Sequence, residues 1–155
     1  MRYSPAALAL SMLAALSTSV SYAGEERVDP RAAALATEGR AALKAGETQA
    51  AIDAFEAALV IDPSYSALYV DMADAARAEG LQGKAIHYYR DAQERDPRNI
   101  AAISGEGKAL LERGAVEKAR ANLARLEDLC GDDCAEARQL AAAIANGPRM
   151  LTAEA

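Results

Sequence analysis

Several residue types that active sites and metal centres depend on are scarce in this chain of 155 residues. It has one histidine, two cysteines, one phenylalanine and no tryptophan. A formal charge of −6 without a basic run argues against binding to nucleic acid, which requires lysine and arginine to neutralise phosphates. The sequence shows no Ser-His-Asp arrangement, no glycine-rich phosphate loop and no zinc-type spacing. It therefore predicts a protein that is not an enzyme and that has no metal and no cofactor.

Alanine is abundant. The 40 alanines make up about half of the 52% hydrophobic content. Alanine is the best helix former and the smallest side chain that a core can bury, so helices rich in alanine can pack closely. The composition predicts an all-α fold.

The first residues have the layout of a secretory signal peptide. A positive charge at Arg2 precedes an apolar stretch over residues 5–16, and the small residues Ser21 and Ala23 precede the expected cleavage point. The apolar stretch is shorter than the roughly 20 residues that a membrane-spanning helix needs. We therefore expect residues 1–23 to be removed, no stable membrane insertion after cleavage, and a periplasmic or secreted protein.

The rest of the chain repeats with a period of 34 residues. This spacing relates Asp62-Pro63 to Asp96-Pro97, Phe55 to Tyr89, Ala51 to Ala85, Ala58 to Ala92, and Gly46 to Gly80 and Gly114. A period of this length, with small residues, one aromatic residue and a closing proline, is typical of a helix-turn-helix repeat.

These residues resemble the tetratricopeptide repeat family. One unit covers residues 32–65 and a second covers 66–99, each with the family's small, aromatic, small and proline positions. A degenerate third unit, 100–131, has Leu123 at the aromatic position. The resemblance implies a right-handed α-solenoid of about three repeats.

A solenoid leaves an apolar face uncovered at its end, so a capping helix is expected. Ala137, Leu140 and Ile144 form an apolar stripe that predicts this helix over about 133–146. The repeat domain would then extend over 24–147, followed by a loose tail at 148–155.

The family binds extended peptides or a partner's helix on the concave wall that the first helix of each unit lines. Carried over by position, the resemblance implies a protein or peptide partner held by outward-facing charged side chains. These are Arg40, Lys44, Asp71, Asp74, Arg77, Lys108 and Glu112. The lysine and asparagine positions of the family's carboxylate clamp hold Ala36, Arg40, Ala101 and Gly105 here, so that clamp is absent.

Two cysteines and one histidine remain. Cys130 and Cys134 are separated by three residues, unlike the C-x-x-C of thiol oxidoreductases, and an even cysteine count in an exported protein predicts a disulfide. His87 has no evident carboxylate partner and is expected to be an ordinary surface histidine. Two alternatives stay open: a self-assembling structural or assembly factor of the cell envelope, and a thiol redox protein that uses both cysteines.

Overall fold

The computed structural model describes residues 28–131 and 134–147. Within these ranges every regular element is an α-helix, which confirms the predicted all-α class. The helices are α1 (Pro30–Ala45), α2 (Thr48–Ile61), α3 (Ala67–Ala78), α4 (Gln82–Arg95), α5 (Ile100–Glu112), α6 (Val116–Cys130) and α7 (Ala135–Asn146). The predicted signal peptide and the predicted tail lie outside the described residues.

Local sequence explains where α1 begins and ends. The carboxylate of Asp29 accepts a hydrogen bond from the backbone N–H of Arg31 at 2.8 Å, and Pro30 takes the first helical position, where it loses no helical hydrogen bond. At the other end Gly46 has a φ of 81°, a left-handed conformation that glycine adopts without a steric penalty. Both ends of α1 are therefore defined by residues next to the helix in sequence.

The repeated Asp-Pro pair forms the same turn twice. After α2 the backbone N–H of Ser64 donates to Asp62 Oδ1 at 3.1 Å, and after α4 that of Arg98 donates to Asp96 Oδ1 at 3.0 Å. A carboxylate that accepts from the backbone two residues later stabilises a tight turn, and the proline between them cannot continue the helix. The turn thus sets the boundary between successive repeats.

The helices pack in consecutive pairs: α1 with α2, α3 with α4, and α5 with α6. The first helices of the pairs also contact one another in chain order, and α7 packs on both α5 and α6. The chain is an all-α solenoid of helix pairs, as predicted. Because α7 contacts α5 as α5 contacts α3, it takes the place of the first helix of a fourth unit.

The core follows the repeat. Phe55 and Tyr89, at the aromatic position of the first two units, are both fully buried. A Cβ atom on Gly39 would lie 2.4 Å from the Phe55 ring, so the first pair of helices requires glycine there. In the third unit the buried residues Ile103, Leu126 and Leu140, together with Ala137, form a separate cluster that joins α5, α6 and α7.

A buried carboxylate ties the last two units together. Glu106 exposes 6% of its surface, and it accepts hydrogen bonds from Arg90 Nε at 2.7 Å, Gln93 Nε2 at 2.9 Å and Asn122 Nδ2 at 3.2 Å. Burial of a charge is costly unless it is paired and hydrogen-bonded, and these three donors meet that requirement. The network connects α4, α5 and α6.

Candidate partner-binding groove

An open groove of about 560 Å³ lies along the first helices of the C-terminal half of the solenoid. Its lining comes from α3, α5, α7 and the residue that follows α7. The lining residues are Arg77, Lys108, Leu111, Glu112, Gln139, Ala142, Ala143, Asn146 and Gly147.

The groove combines an apolar surface with polar side chains. Leu111, Ala142 and Ala143 supply apolar atoms from two neighbouring helices. Ligand sites are commonly apolar concavities with a few placed polar groups that fix the orientation of the ligand. The lining of this groove has that character.

Two polar contacts cross the groove from one first helix to the next. Arg77 Nη1 donates to Glu112 Oε1 at 3.0 Å, and Lys108 Nζ donates to Gln139 Oε1 at 3.0 Å. Arg77 Nε is buried and has no hydrogen-bond acceptor among the described residues. The partner of Lys108 is a neutral amide. Both cations therefore retain capacity to donate hydrogen bonds.

A third contact of the same kind joins α1 to α3 outside the groove. Arg40 Nη2 lies 2.6 Å from Asp71 Oδ2, and Arg40 Nε lies 3.1 Å from Asp71 Oδ1, so the guanidinium holds the carboxylate with two nitrogens. Burial raises the pKa of Asp71 above its usual value, while the bonds from Arg40 act in the opposite direction. The two charged groups therefore bind each other at this end of the solenoid.

Asp74 supports the core. The buried hydroxyl of Tyr89 donates to Asp74 Oδ1, and burial, followed by the nearby Asp74 carboxylate, raises the pKa of Tyr89 far above its usual value. Lys44 is exposed in the last turn of α1 and does not line the groove.

Comparison with known families identifies the repeats. Family models described as tetratricopeptide repeat match residues 32–65 and residues 66–99. The chain contains two tetratricopeptide repeats, over residues 32–99. A search of curated proteins finds no match.

Solved structures of several other proteins share the fold. The Sgt2 tetratricopeptide repeat domain from Aspergillus fumigatus superposes with a TM-score of 0.69 at 24% identity, over 76% of this chain and 79% of that one. The first such domain of Spaghetti (RPAP3), bound to the HSP90 peptide SRMEEVD, gives 0.66 at 23% identity over 79% and 99%. The Yersinia enterocolitica secretion chaperone SycD, in complex with a peptide of the translocator YopD, gives 0.64 at 20% identity over 74% and 86%.

The structure separates the predicted site residues into groups. Arg77 and Lys108 line the groove of this protein, together with Glu112. The other predicted residues lie outside the groove. Arg40 and Asp71 pair with each other between α1 and α3. Asp74 binds the Tyr89 hydroxyl, and Lys44 is exposed on α1.

The contribution of α7 to the groove was not anticipated from the sequence. Gln139, Ala142 and Asn146 follow Gly105, Lys108 and Glu112 at the 34-residue spacing, so the repeat register was the available signal. The sequence prediction treated this segment only as a cap. In the structure it is also one wall of the groove.

The structure places the cysteine sulfur atoms at bonding distance. Cys130 Sγ and Cys134 Sγ lie 2.09 Å apart, and the Cα atoms 5.7 Å apart. The pair connects the last residue of α6 to the residue before α7. Asp132 and Asp133, which lie between the two cysteines in sequence, are outside the described residues.

The prediction that His87 lacks a carboxylate neighbour is wrong. Its Nε2 atom lies 3.7 Å from Asp91 Oδ2, one helical turn later, and 72% of the side chain is exposed.

The described ranges contain no group of three residues suited to hold a metal ion. None of the described helices has the length and apolarity needed to cross a membrane.

Proposed function

We propose that this protein is a non-enzymatic interaction module that binds a partner's peptide segment in the groove between α3, α5 and α7. The observation that carries the proposal is the groove itself, which pairs an apolar surface with hydrogen-bonding groups from three successive first helices.

The polar groups of the groove suit a peptide backbone. Gln139 and Asn146 carry side-chain amides, which both donate and accept hydrogen bonds, as backbone peptide groups do. Arg77 and Lys108 line the groove as positively charged donors, from which a peptide carbonyl or carboxylate would accept a hydrogen bond. The apolar surface of Leu111, Ala142 and Ala143 would accept a small side chain between these polar contacts.

Two of the similar solved structures add support. Spaghetti (RPAP3) and SycD are each solved with a bound peptide, so the shared scaffold is able to hold one. The identities of 23% and 20% carry the fold and not the ligand, and the lining of the groove here must define its own partner.

The experiment is a selection of displayed random peptides on the purified protein, followed by affinity measurements on two matched variants. Ala142→Arg places a long side chain in the groove at an exposed position, while Ala121→Arg adds the same side chain to an exposed position on α6. Selected peptides should lose at least about tenfold in affinity on Ala142→Arg, a loss of about 1.4 kcal/mol, and none on Ala121→Arg. Failure to select a peptide, or equal affinity for both variants, would contradict the proposal.

Two alternatives predict other outcomes. A self-assembling envelope factor would form concentration-dependent oligomers without a peptide in sedimentation velocity, whereas a peptide-binding module would remain monomeric. A thiol redox protein would lose its function when Cys130 and Cys134 are both changed to serine with the fold intact, whereas peptide binding would persist.

We also propose that the protein acts in the cell envelope after export, which rests on the signal-like residues 1–23. Mass spectrometry of the protein from its native host should find Gly24 as the N-terminal residue. If mass spectrometry finds that the protein from every cell fraction retains Met1, export with cleavage is refuted.

A further inference from the structure

A second cavity, separate from the groove, lies between α4, α5 and α6. It has a volume of about 250 Å³ and shares no lining residue with the groove. We call it the basic cavity, and its lining residues are Ile86, Arg90, Leu110, Arg113, Ala115 and Lys118.

The basic cavity has three cations and no carboxylate in its lining. Arg90 directs its Nε atom to the buried Glu106 at 2.7 Å, so one positive charge is compensated just outside the cavity. Arg113 and Lys118 make no side-chain hydrogen bond or ion pair with any residue in 28–131 or 134–147. The cavity therefore presents two uncompensated positive charges on a protein whose net charge is −6.

The repeat provides an internal comparison. At the equivalent positions one unit earlier, 34 residues back, Ile86 corresponds to Ile52, Leu110 to Ala76 and Lys118 to Lys84. Arg90 corresponds to Glu56, and Arg113 to Glu79. The apolar positions stay apolar, whereas two carboxylates of one unit boundary are arginines at the next. The same scaffold folds with either charge, so packing of the repeat does not require the cations.

Two features favour an anion at this place. Ile86 and Leu110 are 94% buried, each exposing 6%, and an apolar wall beside the cations reduces the screening of their charge by water. Ala115 lines the cavity and is the residue before α6, whose first turn receives no side-chain cap. The N-terminal end of a helix carries partial positive charge and unpaired N–H groups, which add to the field of the cations.

We propose that the basic cavity binds a small phosphate-bearing ligand, inorganic phosphate or a phosphate monoester, through Arg113, Lys118 and the remaining guanidinium N–H groups of Arg90. A phosphate dianion matches the two uncompensated charges, and its several acceptor oxygens suit the donors of two arginines and a lysine. A carboxylate carries one charge and two oxygens and would leave part of this donor set unused. The site is independent of peptide binding in the groove.

The probe is inorganic phosphate at slightly alkaline pH, titrated into the isotopically labelled protein and followed by amide chemical shifts. Phosphate should bind in the millimolar range and shift the resonances around Arg113, Ala115 and Lys118. Acetate at the same ionic strength should produce no comparable shifts. Absence of phosphate binding, or equal affinity for acetate, would overturn the proposal.

The repeat supplies matched variants. Arg113→Glu copies Glu79 of the preceding unit and is compatible with the fold, and Lys118→Gln removes the second cation. Arg113→Glu should weaken phosphate binding at least about tenfold, since it replaces a charge-assisted hydrogen bond with a repulsion. Lys118→Gln should also weaken binding, whereas Lys84→Gln, at the equivalent position one unit earlier, should leave it unchanged. Wild-type affinity in Arg113→Glu with unchanged circular dichroism, or a loss in Lys84→Gln as large as in Lys118→Gln, would refute the assignment.

Discussion

The docking of α7 on α5, which forms one wall of the groove, can be tested at a single point of close contact. A Cβ atom built on Gly107 would lie 2.5 Å from Leu140 Cδ2 and 3.4 Å from Asn122 Cβ. Leu140 is fully buried, so its methyl groups have little space into which to move. The change Gly107→Ala should therefore be unfavourable in the native chain and favourable once Leu140 is shortened.

The magnitudes follow from the two opposing effects of the added methyl group. Alanine in place of a helical glycine contributes about 1 kcal/mol of stability, while overpacking a filled core costs about 1–3 kcal/mol. Gly107→Ala alone should thus lower the free energy of unfolding by up to about 2 kcal/mol. Leu140→Ala alone should lower it by about 2–5 kcal/mol, because it removes three carbons from a buried cluster.

In the Leu140→Ala background the methyl group of Gly107→Ala enters vacated space. It regains about 1 kcal/mol of helix propensity and about 0.8 kcal/mol of apolar burial, so the second substitution should stabilise by about 1–2 kcal/mol. The effect of one substitution thus changes sign between the two backgrounds. A double-mutant cycle should show a coupling of a few kcal/mol between positions 107 and 140, as expected for residues in direct contact.

The measurement is urea denaturation of the four proteins in the cycle, followed by circular dichroism. Gly83→Ala is the matched control, because Gly83 lies in the first turn of α4 and its added Cβ would meet only Arg113 Nη1 at 3.7 Å, an ordinary contact. It should stabilise by a few tenths to about 1 kcal/mol in either background. If Gly107→Ala had the same sign and size in both backgrounds, Leu140 would not be packed against α5 and the described groove wall would be wrong.

Three further predictions concern other contacts. Thiol titration of the unreduced, denatured protein should find no free thiol at Cys130 and Cys134, and two free thiols would refute the bond. Reduction should lower the free energy of unfolding by about 2 kcal/mol, because the bond removes the loop-closure entropy of a short loop. Arg40→Gln should lower the free energy of unfolding in urea by about 1–3 kcal/mol, because it leaves the largely buried Asp71 without its charged partner. An unchanged midpoint would show that the ion pair contributes nothing to stability. Hydrogen bonds from the Arg31 side chain, and then from the Arg31 backbone N–H, lower the pKa of Asp29 to about 2, so its contribution to stability should be fully present above about pH 4 and lost as the pH falls through about 2. An NMR titration that gives an ordinary aspartate pKa would contradict this.

The helical repeats could be predicted because local residue types define their boundaries. Gly46 and Gly80 adopt positive φ at the ends of first helices or just after them, and the Asp-Pro pairs end second helices with the same turn. Each of these signals acts within a few residues of chain, and the 34-residue period repeats them. The buried positions of Phe55 and Tyr89 follow from the same register.

The pairing of charged side chains could not be predicted in the same way. Arg40 and Asp71 are 31 residues apart, and Arg77 and Glu112 are 35 apart, so each pair forms only when two units stack. The repeat register identified these residues as outward-facing, but it did not distinguish a side chain that is free to bind a partner from one already bound to the next helix.

The two halves of the first-helix face therefore differ in what they offer a partner. Between α1 and α3 the Arg40–Asp71 pair already satisfies both charged groups, and a ligand would have to break it. Between α3 and α7 the groove presents Arg77, which donates to Glu112 through Nη1, and a lysine whose partner is a neutral amide. Because α7 supplies much of the apolar surface there, the cap of the solenoid and the wall of the binding site are the same helix. A chain shortened before Ala135 should then lose both groove binding and the stability of the third unit, measured by peptide affinity and by urea denaturation.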